Sequence, residues 1–162
     1  MDRVPSYDED ILAWSEHQAA LLRALKPGAG LPNDLDLENI AEEVEAVGRS
    51  ELAAVESHLF NLLVHAAKAL SPPQASPVRH WLEEMSLAQQ GALRSVAPSM
   101  RRRLDLQGLW RRAVRQAERS LRLHGEAIAP LPATCPFTLD ELLDESLEPE
   151  AYVARLQPPA TG

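Results

Sequence analysis

Apolar residues recur along most of the chain at the three- and four-residue spacing of amphipathic helices. The 13 prolines leave three long windows without proline, at residues 33–71, 78–97 and 99–129, where helices can run uninterrupted. Few segments alternate apolar and polar residues, and β-branched residues are scarce beside Ala and Leu. The pattern therefore predicts an all-α fold.

The first window carries the longest apolar stripe, and we predict one long helix there, over about residues 36–70. The stripe keeps its helical phase across Gly48, because the 11 residues from Val44 to Val55 make almost three whole turns. A turn at Gly48, with Ser50 capping a second helix, is the alternative. The positions expected to face the core are Leu37, Ile40, Ala41, Val44, Val47, Leu52, Val55, Leu59, Leu62, Leu63 and Ala66.

Capping signals place the remaining helices. Asp34 or Asp36 can cap the long helix. The other predicted starts and ends are Ser6 (a capping box with Glu9) to Pro27, Ser76-Pro77 to Pro98, Asp105 to Gly125, and Thr138 (a capping box with Glu141) to about Glu145.

We expect one helical domain over residues 1–149, in which four main helices form a bundle around the long one and a short C-terminal helix follows. Residues 150–162 are expected to form a partly disordered tail. The N-terminus lacks the pattern of a secretory signal, and polar residues interrupt the most apolar stretch, 59–70. We therefore expect a soluble cytoplasmic protein without a membrane segment.

The net charge of −8 conceals a strong segregation of charge along the chain. Residues 1–75 carry a net −8, residues 76–125 a net +6, and residues 126–162 a net −6. Arginine supplies 14 of the 16 basic residues. The basic segment contains Arg101, Arg102 and Arg103 and a stripe on one predicted helix face, formed by Arg111, Arg115, Arg119 and Arg122.

Two interpretations of this segregation compete. In the first, acidic and basic helices pair within the fold or across a dimer, or the arginine face is simply solvated. In the second, the arginine face binds the phosphates of a nucleic acid or another polyanion. We favour the first, because no nucleic-acid-binding motif is present and the acidic total argues against a protein that coats nucleic acid.

Candidate chemistry is sparse. Glu51, His58 and His65 are seven residues apart, which separates neighbours by about 10.5 Å along a helix. Zinc donors lie about 2 Å from the metal, so adjacent members of this trio do not share an ion, and we interpret the histidines as half-packed, hydrogen-bonded boundary residues. The single cysteine, Cys135, excludes an internal disulfide and is interpreted as a packed thiol. We expect neither metal nor cofactor.

Three motifs nevertheless occur in a characteristic order along the chain. Tyr7-x-x-Asp10-x-x-x-Trp14 opens the chain, Glu-Glu-x-Glu-x-x-Gly-Arg occupies residues 42–49, and Cys-Pro-Phe-Thr occupies residues 135–138. This set resembles the bacterial family catalogued as "domain of unknown function twenty-nine", over about residues 7–149. The resemblance implies a small helical bacterial protein and carries no assigned reaction.

The resemblance directs attention to the residues that match its motifs, and two interpretations of them remain open. In one, Gly48 permits a close helix crossing and Arg49 pairs with Glu45 one turn back. In the other, the polar residues line a site between helices. The candidate binding residues are Glu42, Glu45, Arg49, Glu51 and His65, with Gly48 and Cys135 as further motif positions.

The preferred functional hypothesis is a small soluble bacterial interaction or regulatory protein without catalysis, which associates with itself as a homodimer. One alternative is nucleic-acid or polyanion binding through the arginines of residues 101–122. The other is a metal-dependent hydrolase that uses Glu and His of the long helix. Nucleic acid and membrane are not expected partners.

Overall fold

The computed structural model describes residues 4–26, 28, 30–71 and 77–158, and it contains helices and no β-strand over these ranges. The all-α class is confirmed, with four main helices, one of them much longer than the rest. The elements are α1 (Ile11–Ala24), α2 (Leu37–Leu70), α3 (Val78–Ser95), a 3₁₀ helix (Pro98–Arg102), α4 (Leu106–Leu123), α5 (Leu139–Leu142) and α6 (Pro149–Leu156).

The prediction of one long helix is confirmed. Helix α2 runs for 34 residues and passes through Gly48 without a break, so the alternative of a turn there is wrong. Asp36 is the residue that caps it, because its Oδ1 accepts a hydrogen bond from the Asn39 amide at 3.2 Å.

Most of the predicted helix ends are confirmed as well. The Asp105 carboxylate accepts from the Gly108 amide at 2.9 Å and opens α4, and Gly125 follows that helix at φ +74°, a backbone conformation that favours glycine. Thr138 and Glu141 form the predicted reciprocal capping box of α5. The predicted cap Ser76 lies outside the described residues.

The predicted start of the first helix is wrong. Helix α1 begins at Ile11 and is capped by Asp10, whose Oδ1 accepts from the Ala13 amide at 3.0 Å, whereas the Ser6 carbonyl accepts from the Asp10 amide in a preceding turn. The same Asp10 carboxylate accepts from both the amide and the hydroxyl of Ser99. The ionised Asp10 carboxylate, which also binds Ser99, is a stronger cap than the Ser6 hydroxyl. Ser99 lies far away in the sequence, so the residues around Ser6 give no sign of this contact.

The C-terminal region is also more ordered than predicted. Helix α5 ends at Leu142, short of Glu145, and α6 occupies most of the segment expected to be a tail. The reason is burial: Tyr152 and Leu156 are only 1% and 2% exposed. Residues 159–162 of the predicted tail lie outside the described part.

The described chain divides into two compact units. The first contains the described residues up to Ala54 together with Ser95–Arg103, and so holds α1, the first half of α2 and the 3₁₀ helix. Its buried residues include Leu12, Ser15, Ala19, Ala41 and Met100. The hydrogen bonds from Ser99 to Asp10 join the 3₁₀ helix to the start of α1.

The second unit contains the described residues of 55–94 and those from Leu104 onward. Its core includes an edge-to-face series of aromatic rings in which Phe137 lies between Trp110 and Tyr152, with ring centroids 6.4 and 5.4 Å apart. The connector before α5 is ordered, because the Trp110 indole donates to the Pro132 carbonyl at 2.9 Å. The single domain expected over residues 1–149 stays a prediction.

In the described ranges, every helix is too short or too polar to cross a lipid bilayer.

Candidate functional site

Three of the five candidate binding residues lie in one cluster in the first unit. Arg23, on α1, donates to carboxylates from three turns of α2: Glu38 at 3.2 Å, Glu42 at 3.3 Å and Glu45 at 2.8 Å. Arg49 approaches from α2 itself, at 2.5 Å from Glu42 and 3.6 Å from Glu45. We call these five residues the Arg23 cluster.

The Arg23 cluster is a set of mutually satisfied charges. The hydrogen bond from Arg23 lowers the pKa of Glu45, and the Glu45 and Glu38 carboxylates raise the pKa of Arg23. Each guanidinium is engaged by at least two carboxylates, so its donors are already directed at groups of this chain. The arrangement therefore joins α1 to α2. Arg23 is the residue that sequence reasoning missed, since no local motif connects it to α2.

The structural interpretation of Gly48 is confirmed. A Cβ atom at Gly48 would overlap the Ser15 hydroxyl and lie 3.1 Å from the Leu12 Cα atom, so glycine is what lets the two helices approach. Ser15 is fully buried and donates to the Leu12 carbonyl at 2.9 Å. The neighbouring Arg49–Glu45 ion pair across one turn is also present.

Glu51 and His65 do not join this cluster. Glu51 makes no ion pair among the described residues, and His65 lies outside the first unit. Glu51 and His65 therefore stay candidate binding residues outside the Arg23 cluster.

His65 belongs to the second unit, where burial lowers its pKa and the nearby charge of Lys68 lowers it further, while Glu84 opposes both. Its Nδ1 atom is buried without a hydrogen-bond partner in the described part, so the expected hydrogen bond is missing there. His58 is half-buried, and its ring packs against Gly91, where a Cβ atom would overlap it. Both histidines lie at the boundary of the core, as predicted.

The described side chains offer little support for a metal site or a nucleophilic cysteine. Across the described ranges, no group of three or more His, Cys, Asp or Glu residues is arranged to hold a metal ion. Cys135 is half-buried, its amide donates to Gln107 Oε1 at 2.9 Å, and burial raises the pKa of its thiol. A thiol with a raised pKa is a poor nucleophile at neutral pH.

The predicted arginine face is exposed on α4. Arg111, Arg115, Arg119 and Arg122 all face solvent, as does Arg112, which the sequence analysis left out. We call these five residues the Arg ridge. None of them makes an ion pair within the described part of the chain. The face is therefore solvated, which was one expectation, and it does not pair within that part of the fold, which was the other.

Part of α2 that was expected to be buried is exposed instead. Ile40, Val44 and Val47 were expected to face the core, but Ile40 is 38% and Val47 43% exposed and Val44 is half-buried. Together they form an apolar stripe on the first half of α2, and they line a shallow depression of about 470 Å³. The buried face of the same half-helix is formed instead by Ala41 and Gly48, which turn toward α1. The stripe was misassigned because periodicity shows which residues share a face and not what covers it.

The comparisons with known proteins agree with this helical architecture. A crystal structure of an α-helical protein of unknown function from Rhodospirillum rubrum has 38% sequence identity and a TM-score of 0.88, and the match covers 96% of this chain and 100% of that one. No curated protein matches the chain. The family model described as "Domain of unknown function DUF29" matches residues 6–147. Neither match points to catalysis or to nucleic-acid binding. The chain therefore belongs to the family described as Domain of unknown function DUF29.

Proposed function

We propose that this chain is a non-catalytic protein-interaction module that binds a partner through the apolar stripe of α2. The observation that carries the proposal is the exposure of Ile40 and Val47, in phase with the half-buried Val44, on the outside of a well-formed helix. Isolated exposed apolar residues are common on protein surfaces. An aligned set that lines a depression is instead typical of a docking surface.

The spacing of the stripe indicates what docks on it. Ile40, Val44 and Val47 are at positions i, i+4 and i+7, the pattern by which one helix packs along another. A partner helix with its own apolar residues at this spacing would cover the stripe.

The charges beside the stripe indicate the flanks of that partner. Asp36 and Glu43 line the same depression, and none of the described basic residues lines it. Because a second copy docked symmetrically would place these carboxylates against one another, the surface favours a different helix, with Lys or Arg beside its apolar residues. By helix register Glu51 lies one turn beyond Val47 on this face, which gives that candidate residue a place at the end of the docking surface.

The proposal extends to the origin of the protein and its location in the cell. The similar structure comes from a bacterium, which supports a bacterial origin for this chain. A cytoplasmic location stays a prediction.

Site-specific photocrosslinking in cells of the source organism tests the proposal. A crosslinking residue at position 40 should yield a discrete protein adduct, whereas one at position 53, which is exposed on another face of α2, should not. The captured protein is then identified and purified. Its affinity for the chain should fall at least about tenfold in Val47→Asp, because an apolar contact is replaced by a desolvated charge.

Three results would overturn the proposal: no adduct at position 40, equal adducts at both positions, or a purified partner whose affinity Val47→Asp leaves unchanged. Because Val47 is exposed, Val47→Asp should retain the wild-type circular dichroism spectrum and melting temperature, and this check separates loss of docking from loss of fold.

A further inference from the structure

The Arg ridge is a positive surface with one exposed carboxylate, Glu118, at its edge. Its five guanidinium groups project within an arc of about 100° on α4, and Arg111 and Arg122 are about 16 Å apart along the helix axis. All five side chains are exposed, while the opposite face of α4 is buried through Leu109, Trp110, Ala113, Ala117 and Leu121.

The ridge differs from four other arginines of the same chain. Arg23, Arg49, Arg103 and Arg155 each make an ion pair with at least one glutamate. The ridge arginines make none in the described ranges, and Arg111, Arg115 and Arg119 follow one another at the four-residue spacing where like charges destabilise a helix. The ridge therefore adds no ion pair to the described chain and places like charges one turn apart, which points to a role outside the chain.

An exposed leucine lies beside the ridge. Leu123 is 80% exposed, and it falls about 20° from Arg112 around α4, three turns farther on. An apolar side chain next to guanidinium groups suits a protein partner, against which both can be buried. The phosphates of a nucleic acid would engage the arginines alone and leave Leu123 uncovered.

The second unit also carries a surface of the complementary kind. A groove of about 520 Å³ lies between α3 and the segment that leads into α6. Its apolar lining comes from Leu93, Leu147 and Pro149, and Glu145 and Glu148 line it as exposed carboxylates. Arg94 also lines the groove and offsets part of this negative charge.

We propose that the Arg ridge docks on the groove of a second copy of this chain, with Leu123 entering the groove and the ridge arginines facing Glu145 and Glu148. Guanidinium groups suit this contact because they can bind carboxylates through two parallel hydrogen bonds. In a two-fold dimer the same contact forms twice, and the assembly is closed. This self-association uses a surface separate from the apolar stripe of α2 and goes beyond the proposed function.

Sedimentation and light scattering on a set of charge variants test the proposal. The ridge variant combines Arg115→Glu with Arg119→Glu, and the groove variant combines Glu145→Arg with Glu148→Arg. Each alone should be monomeric at low salt, where the wild type is a dimer. Their equimolar mixture should form a heterodimer, because both contacts regain opposite charges. Arg79→Glu, an exposed arginine outside both surfaces, is the matched control and should dimerise like the wild type.

Salt and Leu123 provide independent readouts. Raising the salt from about 0.05 M to about 0.5 M should weaken the wild-type dimer at least about tenfold, because exposed charge pairs are screened. Leu123→Ser should weaken it without changing the salt dependence, because it removes an apolar contact and no charge. Glu148 precedes the first residue of α6, so the single variant Glu145→Arg, which leaves that helix end intact, serves if the double groove variant fails to fold.

A wild-type chain that is monomeric at high concentration and low salt would overturn the proposal. So would a dimer that survives both charge variants, or a mixture of the two variants that does not associate. Binding of a short DNA or RNA by the wild type, abolished in the ridge variant while the chain remains monomeric, would assign the ridge to nucleic acid instead.

Discussion

Gly48 is the residue on which the close approach of α1 and α2 in the first unit depends. Alanine is the better helix former by about 1 kcal/mol, so a glycine in the middle of α2 costs local stability. That cost is offset by packing, because the Gly48 backbone lies against Leu12 and the buried Ser15. The local preference and the tertiary contact therefore oppose each other at this position.

We expect Gly48→Ala to destabilise the chain by about 1–2 kcal/mol, because the strain of overpacking exceeds the gain in helix propensity. Chemical denaturation monitored by circular dichroism measures the difference. Adding Ser15→Ala should recover part of the loss, since it removes the hydroxyl that the new Cβ atom overlaps. A Gly48→Ala variant as stable as the wild type would show that the helices do not pack this closely.

His65 is the residue whose titration should register in stability near neutral pH. Burial and the Lys68 charge lower its folded-state pKa below the ordinary 6.5, against the pull of Glu84. The unfolded chain therefore takes up a proton near pH 6.5, whereas the folded chain does so only at lower pH. Acidification through this window favours the unfolded state.

The melting temperature of the wild type should accordingly fall more between pH 8 and pH 5 than that of His65→Gln, which does not titrate there. Differential scanning calorimetry across this range provides the measurement. Parallel profiles for the two proteins would mean that His65 has the same pKa in the folded and unfolded states.

Among the elements of the second unit, α6 is held in place by buried hydrogen bonds of Tyr152 and Gln89. The Tyr152 hydroxyl donates to the Glu141 carbonyl at 2.7 Å and accepts from Gln89 Nε2 at 2.8 Å. Gln89 also donates to the Asp144 carbonyl at 3.0 Å. One buried amide and one phenol thus tie α3, the end of α5 and α6 together.

Tyr152→Phe keeps the ring contact with Phe137 and removes only the hydroxyl. We expect it to lower the free energy of unfolding by about 1–3 kcal/mol, because buried polar groups of Gln89 and Glu141 lose a partner. Tyr7→Phe is the matched control: Tyr7 is exposed, its ring contact with Trp14 is retained, and the change should stay within about 0.5 kcal/mol. Equal effects of the two variants would show that the hydrogen bonds of the Tyr152 hydroxyl do not stabilise the fold.

The elements also show how far sequence reasoning reaches. The continuity of α2, the Asp105 cap and the Thr138 capping box follow from residues within a few positions of one another, and all three were predicted. Helix α6 was missed because its eight residues carry a weak periodic signal and are held by partners far away in the chain.

At the scale of the whole molecule, charge is segregated rather than balanced. Glu38, Glu42 and Glu45 of α2 pair with arginines of their own unit, whereas the Arg ridge of α4 makes no ion pair in the described ranges. The net charge of −8 therefore describes neither surface.

Because Arg115 is four residues from both Arg111 and Arg119, we expect Arg115→Glu to stabilise the dilute monomer by a few tenths of a kcal/mol at low salt. The gain should vanish at about 0.5 M salt, where exposed charges are screened. Thermal unfolding at the two salt concentrations measures both effects. A variant that is less stable than the wild type at low salt would show that Arg115 has a partner within the chain.

Helix periodicity and capping act between residues three or four positions apart, so the helical segments and most of their ends could be predicted from local sequence. Which faces of the helices are covered depends on packing between distant segments. This packing placed Arg23 among the glutamates of α2, turned Gly48 toward Ser15, joined Asp10 to Ser99 and left Ile40 and Val47 in solvent. Each of these outcomes depends on a residue far away in the chain, and burial is settled only when distant elements pack.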